Sequence, residues 1–316
     1  MRILVLHSAV PPDAPPEEAD TLIAAAAVEA ALARHGHDAC RAGYRKDRPG
    51  LQALLQAHAP DIVFNLVESV DGLGALAPEA PRALSELGWR FTGVGAEAMA
   101  ITNDKPRAKA VLRRAGLATP DWCVPPEWTG LDDRTWIVKS ALEDASLGLD
   151  DGCVVRGVHA AKVRARACAA RYGGAWFAEA FVPGREFNIA MLNGRVLPIA
   201  EMRFEGWPAG KPRIVGYDAK WQEASIGWNG TVRAFGVERD EPALAAALRQ
   251  SCERIWTLFG LAGFARVDVR VAEGGAPQIL EINANPCLTP GAGFAAAAAQ
   301  AGMRYGDMIE ALVRAA

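Results

Sequence analysis

The stretch from Phe264 to Pro290 limits what this chain can become more than any other. Val, Ile and Leu alternate with other residues on both sides of Gly274-Gly275, the pattern of a β-hairpin closed by a two-residue turn. Pairing across that turn sets Asp268 opposite Glu281, Arg266 opposite Asn283, Val267 opposite Ile282 and Val269 opposite Leu280. One face is then apolar and the other carries Arg, Asp, Glu and Asn. Directly opposed residues have Cβ atoms about 5 Å apart, so two carboxylates placed this way repel unless a proton or cation lies between them. Hard oxygen donors from Asp268, Glu281 and Asn283 suit Mg²⁺ or Mn²⁺, with water or phosphate oxygens completing the shell. The alternative is a solvated face balanced by Arg266 and Arg270. A register slip of one residue would exchange the two faces.

The rest of the chain is built to carry such a hairpin. Its 316 residues suffice for two or three domains with proper cores, and 51% hydrophobic content with a net charge of −3 describes a globular protein. Lys+Arg 34 against Asp+Glu 37 leaves no global basic excess, which argues against a nucleic-acid binder. No apolar run approaches the roughly 18 residues of a membrane span. The six cysteines form no Cys-x-x-Cys pair, so a reducing, cytoplasmic setting fits best.

Residues 1–96 alternate β and α: strand Ile3–Leu6, a loop with four prolines, helix Asp20–His35, strand Ile62–Val67 after a second helix, helix Pro78–Leu87 and a short strand Trp89–Thr92. This predicts a mostly parallel sheet with helices on its faces. Asp20 or Thr21 is the expected N-cap of the first long helix. Ligands of such sheets gather beyond the carboxyl ends of strands, where Asn65, Glu68 and Asp71 fall; a polar capped loop explains them equally well. No Gly-x-Gly-x-x-Gly indicates a dinucleotide site.

A new domain opens near residue 97, with Asn103 or Asp104 capping a helix to Ala115. Strand Thr135–Lys139 leads into the small-residue loop Asp144-Ala145-Ser146-Leu147-Gly148. An ammonium followed by a loop of free N–H groups can cover a phosphate, although an ordinary surface loop has the same composition. Strand Trp176–Val182 carries Glu179, and Glu186 follows the Pro183-Gly184 turn. Strand Arg195–Met202 comes next, then an aperiodic excursion from Gly206 to Trp228 of the length that functional loops have. A helix from Glu241 to Leu258 precedes the hairpin. Only seven cationic residues are lysine: Lys46, Lys105, Lys109, Lys139, Lys162, Lys211 and Lys220.

Taken together, Asn103-Asp104-Lys105, Ile137-Val138-Lys139, Glu179-Ala180-Phe181-Val182, Gly184-Arg185-Glu186-Phe187, Tyr217-Asp218-Ala219-Lys220, Arg266-Val267-Asp268-Val269 and Leu280-Glu281-Ile282-Asn283-Ala284-Asn285-Pro286 resemble the motifs of the ATP-grasp superfamily, and within it the D-alanine:D-alanine ligases. The likeness runs from about Gly93 to the C-terminus, more loosely before it. It implies an α/β (α+β) ATP-grasp fold: an N-terminal α/β substrate domain (1–96), then a central subdomain (97–183) and a C-terminal subdomain (184–316) sandwiching ATP. It implies an ATP-dependent carboxylate–amine ligase forming an amide through an acyl phosphate. The alternatives are a ligase with a different amino-acid or amine substrate, or a non-catalytic ATP-binding paralogue.

Carried over by position, Lys105, Lys139 and the Ser146 loop hold ATP phosphates, Glu179 with the Phe181-Val182 backbone the adenine, and Glu186 the ribose. Asp268, Glu281 and Asn283 bind two magnesium ions. Arg266 stabilises charge on the transferring phosphoryl group, and Lys220 arrives on a mobile lid. Asn65, Glu68, Tyr217, Ala292 and Gly293 lie nearest the amino-acid substrates. Departures gather there: the family's glycine-rich N-terminal loop and its glutamate give way to the proline-rich His7–Asp20 loop, Asn65 stands for a histidine, and Ala292 replaces the serine that helps hold the second substrate's carboxylate. A homodimer is the default assembly for such an enzyme.

Overall fold

The computed structural model describes residues 1–130 and 132–316. Its first layer is a three-stranded parallel sheet of order β2-β1-β3, built from β1 (Arg2–Ser8), β2 (Asp38–Tyr44) and β3 (Ile62–Leu66). Helices α1 (Pro16–Arg34), α2 (Arg48–His58) and α3 (Glu79–Glu86) complete the unit. The continuous apolar runs of β1 and β3 follow from burial on both faces. Ile3, Val5 and Phe64 pack toward α1, whereas Leu4, Leu6 and Val63 pack toward Leu51, Leu55 and Leu84.

The second layer is a four-stranded antiparallel sheet, β4-β7-β5-β6. After α4 (Ala96–Asn103) and α5 (Lys105–Arg114), it uses β4 (Trp122–Cys123), β5 (Thr135–Ser140), β6 (Val154–Arg156) and β7 (Trp176–Ala180), backed by α6 (Val158–Tyr172). Trp136, Val138, Trp176 and Ala178 point to α6, burying its Ala161, Ala165 and Cys168. The alternate residues Lys139 and Glu179 are left for the opposite face.

The third layer is antiparallel, β11-β10-β8-β12-β13 with β9 on β8. It comprises β8 (Arg185–Leu192), β9 (Arg195–Val196), β10 (Ala200–Phe204), the short helices α7 (Tyr217–Trp221) and α8 (Ile226–Gly230), β11 (Thr231–Phe235), α9 (Val237–Asp240), α10 (Pro242–Leu258), β12 (Phe264–Val271) and β13 (Gln278–Asn283). Phe187, Ile189, Val267, Val269, Ile279 and Ile282 form one core with Leu248, Cys252 and Ile255 of α10, Met99 of α4 and Leu112 of α5. Helices α4 and α5 thus pack on the third layer although they precede the second. Helices α11 (Gly293–Gln300) and α12 (Tyr305–Ala315) return to the first layer, with Met308, Ile309 and Leu312 against the apolar side of α1.

Several local expectations are corrected. The hairpin does pair Arg266 with Asn283, Val267 with Ile282 and Asp268 with Glu281, but a bulge follows and Val269 faces Ile279 instead of Leu280. The strands end at Val271 and Gln278, so a longer loop replaces the two-residue turn and one extra residue is absorbed by the ladder. Helix α1 starts at Pro16, a proline being well suited to a first turn, and Asp20 and Thr21 are not its caps. Asp104 does cap α5, its side chain accepting from Arg107 N–H at 3.0 Å. Strand Asp38–Tyr44 has too polar a sequence to stand out, while Trp89–Thr92 contributes only a bridge from Phe91 to Val63. The expected strand Arg195–Met202 is two strands broken around Pro198, which cannot donate to a ladder.

Candidate active site

Helix α5 and strand β5 supply the first of the site's cations. On α5, Lys105 and Lys109 are one turn apart on the buried face, 4% and 1% exposed. Lys105 Nζ donates to Glu143 O and Asp144 Oδ1, both at 2.8 Å, and lies 3.8 Å from Glu281 Oε2. Burial lowers its pKa, but Asp144 and Glu281 outweigh that and hold it above the ordinary lysine range. Lys139 on β5 meets Glu179 Oε1 at 2.8 Å. Lys109 contacts the other oxygen of the same carboxylate and donates to Thr119 Oγ1 at 2.7 Å. Burial lowers the Lys109 ammonium to about 8, opposed by Glu179 and reinforced by Lys139.

Glu179 therefore stands between two lysines, its carboxylate engaged by both. The Val182 N–H, by contrast, takes no backbone partner among the described residues, while the Val182 carbonyl accepts from Arg270 at 3.0 Å. Glu186 accepts from Arg270 Nε at 3.1 Å and Nη2 at 2.7 Å. Register explains the pair, since Arg270 on β12 lies directly opposite Glu186 on β8. Arg270 also covers the Phe181 ring, 5.3 Å from its centroid.

The hairpin's polar face supplies the anions. Arg266 grips Asp268 with Nε and Nη2 at 2.8 and 2.9 Å, and Asn188, opposite Asp268 on β8, donates to its Oδ1 at 2.9 Å. Burial pushes the Asp268 carboxyl up against the pull of Arg266. For Glu281 burial pushes the same way, but Lys105, Lys139, Lys220 and Arg266 together hold it well below the carboxylate range. The Glu281 carboxylate accepts no hydrogen bond among the described residues. Asn283 Oδ1 accepts from Asn285 N–H at 3.0 Å and keeps a second lone pair. Two opposed carboxylates and an amide oxygen, one carboxylate unengaged, fit a hard divalent cation.

The excursion after β10 closes over this cluster. Tyr217 Oη donates to Glu17 Oε2 at 2.7 Å, Trp221 Nε1 to Ala145 O at 3.0 Å, and Ser146 Oγ to Val215 O at 2.9 Å. Ala145 and Ser146 both have positive φ, 56° and 61°, a conformation costly for non-glycine residues and retained here by lid contacts. Lys220 faces Glu281, Asp268 and Arg266 beneath the lid; burial lowers its pKa, Arg266 lowers it further, and the carboxylates oppose both.

On the amino-acid side, Asn65 is 1% exposed and its Oδ1 turns to the Val67 N–H at 3.2 Å, so its side chain shapes the loop. Glu68 is open to the recess yet enclosed by protein, and this loss of hydration, with Asp20 and Asp144 nearby, raises it to about 8 against the pull of Arg266. Asp20, expected as a cap, instead accepts from Cys287 Sγ at 2.9 Å and Thr289 Oγ1 at 3.0 Å. Tyr217 latches the lid through Glu17. Ala292 and Gly293 open α11, where Arg233 Nη1 reaches Gly291 O at 3.3 Å. Sequence reasoning missed Lys109, Glu17, Arg270 and Arg233 as members of this assembly. For Lys109 a signal existed: the scarcity of lysine and its position four residues after Lys105.

Residues 135–314 match the family model described as D-ala D-ala ligase C-terminus, more than half of the chain. The chain belongs to the D-alanine–D-alanine ligase family. It is 31% identical over 296 residues to the D-alanine–D-alanine ligase of Chromohalobacter salexigens, covering 92% of this chain and 87% of that protein. Identity to the Moorella thermoacetica D-alanine–D-alanine ligase is 30% over 308 residues, covering 93% of each. The crystal structure of Bacillus anthracis D-alanine–D-alanine ligase complexed with ATP superposes with a TM-score of 0.78 at 18% identity, covering 100% of this chain and 97% of that one. The three layers are thus an ATP-grasp fold, and the protein is an ATP-dependent, ADP-forming carboxylate–amine ligase. None of its helices is long and apolar enough to cross a membrane among the described residues.

Proposed function

We propose that this ligase joins two amino acids, as a D-alanine:D-alanine ligase does, with an amino-acid half of its own design. The carboxylate of one substrate attacks the γ-phosphorus of ATP; a P–O bond forms, the β–γ bond breaks and ADP leaves. The second substrate's amine then attacks the acyl carbon, loses a proton and expels phosphate. The observation that carries this reading is the meeting of Arg266, Lys220, Lys105 and Lys139 at Asp268 and Glu281 under a latched lid.

Lys105, Lys139 and the Ser146 loop would hold phosphates. Because the carboxylates of Glu179 and Glu186 are engaged by Lys139 with Lys109 and by Arg270, the adenine contact falls chiefly to the Phe181-Val182 backbone, with Glu179 orienting Lys139. Glu186 reaches ribose with its remaining lone pairs. Asp268, Glu281 and Asn283 would hold two magnesium ions, whose charge would offset that of the phosphates. Arg266 stabilises charge on the transferring phosphoryl and the tetrahedral carbon, fixed in advance by Asp268. Lys220 adds a second cation and, with the lid, excludes water that would hydrolyse the acyl phosphate. Simple nucleotide binding would require neither Arg266 nor Lys220.

We further place the domain boundaries near residues 96 and 183, with α4 and α5 of the central segment packed on the third layer, the enzyme in the cytoplasm where ATP and reduced thiols are found, and its assembly as a homodimer. A screen of L- and D-amino acids for Mg-ATP-dependent ADP release, with the coupled product identified by mass spectrometry, tests the function. ADP release that requires an amino acid and yields an amide is expected. Absence of turnover with every amino acid, amine and hydroxy acid, despite tight Mg-ATP binding, would overturn it.

A further inference from the structure

One cation near the reaction centre lacks a counter-charge. Arg233 sits on β11 at the edge of the third layer. Its Nε is buried with no hydrogen-bond partner among the described residues, and the one charged group that perturbs it is Arg266, not a carboxylate. Its side-chain hydrogen bond runs from Nη1 to the Gly291 carbonyl at 3.3 Å, which fixes the guanidinium beside the loop leading into α11. A Cβ added to Gly293 would stand 3.7 Å from Nη2, so the group lies against the first turn of that helix. There Ala292 offers no side-chain cap and no acidic residue is present in the first turn. Burial, together with the Arg266 charge, disfavours the ionised form of Arg233.

A half-buried guanidinium, an uncapped helix start and a neighbouring arginine all favour an anion in the same space. Unlike a hydroxyl, a guanidinium recognises a carboxylate by two parallel hydrogen bonds and a full charge. We propose that Arg233, with the amide end of α11, binds the carboxylate of the amine-donating substrate and makes this chain selective for acceptors that carry one. The assignment rests on the ligase function proposed above, and it gives Ala292 a reason: with an arginine in place, a hydroxyl there is unnecessary.

The test compares acceptors on one donor. With the donor amino acid from the screen and Mg-ATP, hydroxylamine traps the acyl group as a hydroxamate. Alanine and alaninamide, in both enantiomers, then compete as acid and amide acceptors. Wild-type enzyme is expected to prefer the acid. Arg233→Ala should raise the KM for the acid roughly 10- to 100-fold, the loss expected of a hydrogen bond to a charged group, and much more than it raises the KM for hydroxylamine. Arg233→Lys should recover part of the acid preference, and it serves in place of the alanine variant should that one fail to fold. Hydroxamate formation with an unchanged acid-to-amide ratio in both variants, or equal use of acid and amide by wild type, would overturn the role of Arg233 alone. No hydroxamate with any amino acid would overturn the ligase function itself.

Discussion

Loss of the Tyr217 hydroxyl should turn the enzyme from a ligase toward a wasteful ATPase. Side-chain hydrogen bonds tie the 206–228 excursion to the rest of the protein at Lys211–Asp151, Arg270–Arg213, Ser146–Val215, Trp221–Ala145 and Tyr217–Glu17, and of these the Tyr217 bond, 2.7 Å to a carboxylate of α1, is the one that reaches the first layer. Hydrogen bonds to charged groups contribute about 1.5–3 kcal/mol, and the half-exposed position of this pair argues for the lower end. About 1.4 kcal/mol is tenfold in an equilibrium constant, so Tyr217→Phe should raise the open-lid population roughly tenfold while an acyl phosphate is present. The readout is phosphate released per amide formed: near one for wild type, and rising in the variant as water intercepts the intermediate. A double-mutant cycle with Glu17→Ala isolates the bond, with a coupling of about 1 kcal/mol or more expected. Strictly additive effects, or an unchanged phosphate-to-amide ratio in Tyr217→Phe, would refute the latch.

Glu281→Gln should lower metal-dependent turnover by about 100-fold or more with the fold intact by circular dichroism, since it removes the unengaged carboxylate of the cluster; wild-type activity would take the hairpin out of the mechanism. Arg270→Met should destabilise the protein by about 3–5 kcal/mol in urea denaturation, because it leaves Glu186 buried and uncompensated, and Glu186→Leu in the same chain should restore much of the loss. Crowding by the protein around Glu68, with Asp20 and Asp144 nearby, pushes its carboxyl up to about 8 although the side chain keeps an exposed edge. As pH rises from about 4.5 to 8 the unfolded chain releases this proton while the folded one keeps it, so its contribution to stability falls across that window. Glu68→Gln should accordingly flatten the decline of Tm with pH between those limits, and an unaltered slope would show that the carboxyl is already ionised in the fold.

Much of the ATP half could be read from the sequence because it depends on local patterns. Alternation in β12 and β13 put Asp268 and Glu281 on one face, and three matching pairs survived although the turn did not. The error at Val269 came from treating Gly274-Gly275 as a complete turn; the longer loop ends the strands earlier and a bulge takes up the mismatch. The amino-acid half was less legible because its contacts join distant segments. Asp20 meets Cys287 and Thr289 across more than 260 residues, and Glu17 meets Tyr217 across 200. No periodicity encodes such pairs. Asp20 even carries a misleading local signal, since an acidic residue before an apolar helical run is ordinarily a cap. Arg233 was hidden for a different reason: its strand follows an aperiodic excursion, and what distinguishes it is a missing partner, which only the packed structure shows.

Isotope transfer offers the sharpest trial of the chemistry. With a donor amino acid labelled by ¹⁸O in both carboxylate oxygens, acyl-phosphate formation requires that one labelled oxygen leave with inorganic phosphate for every amide made, and mass spectrometry of the phosphate reads this directly. One ¹⁸O per phosphate, dependent on ATP and on Arg266, is the result predicted for this site. Unlabelled phosphate accompanying amide formation, or ADP produced with no label transferred, would contradict it.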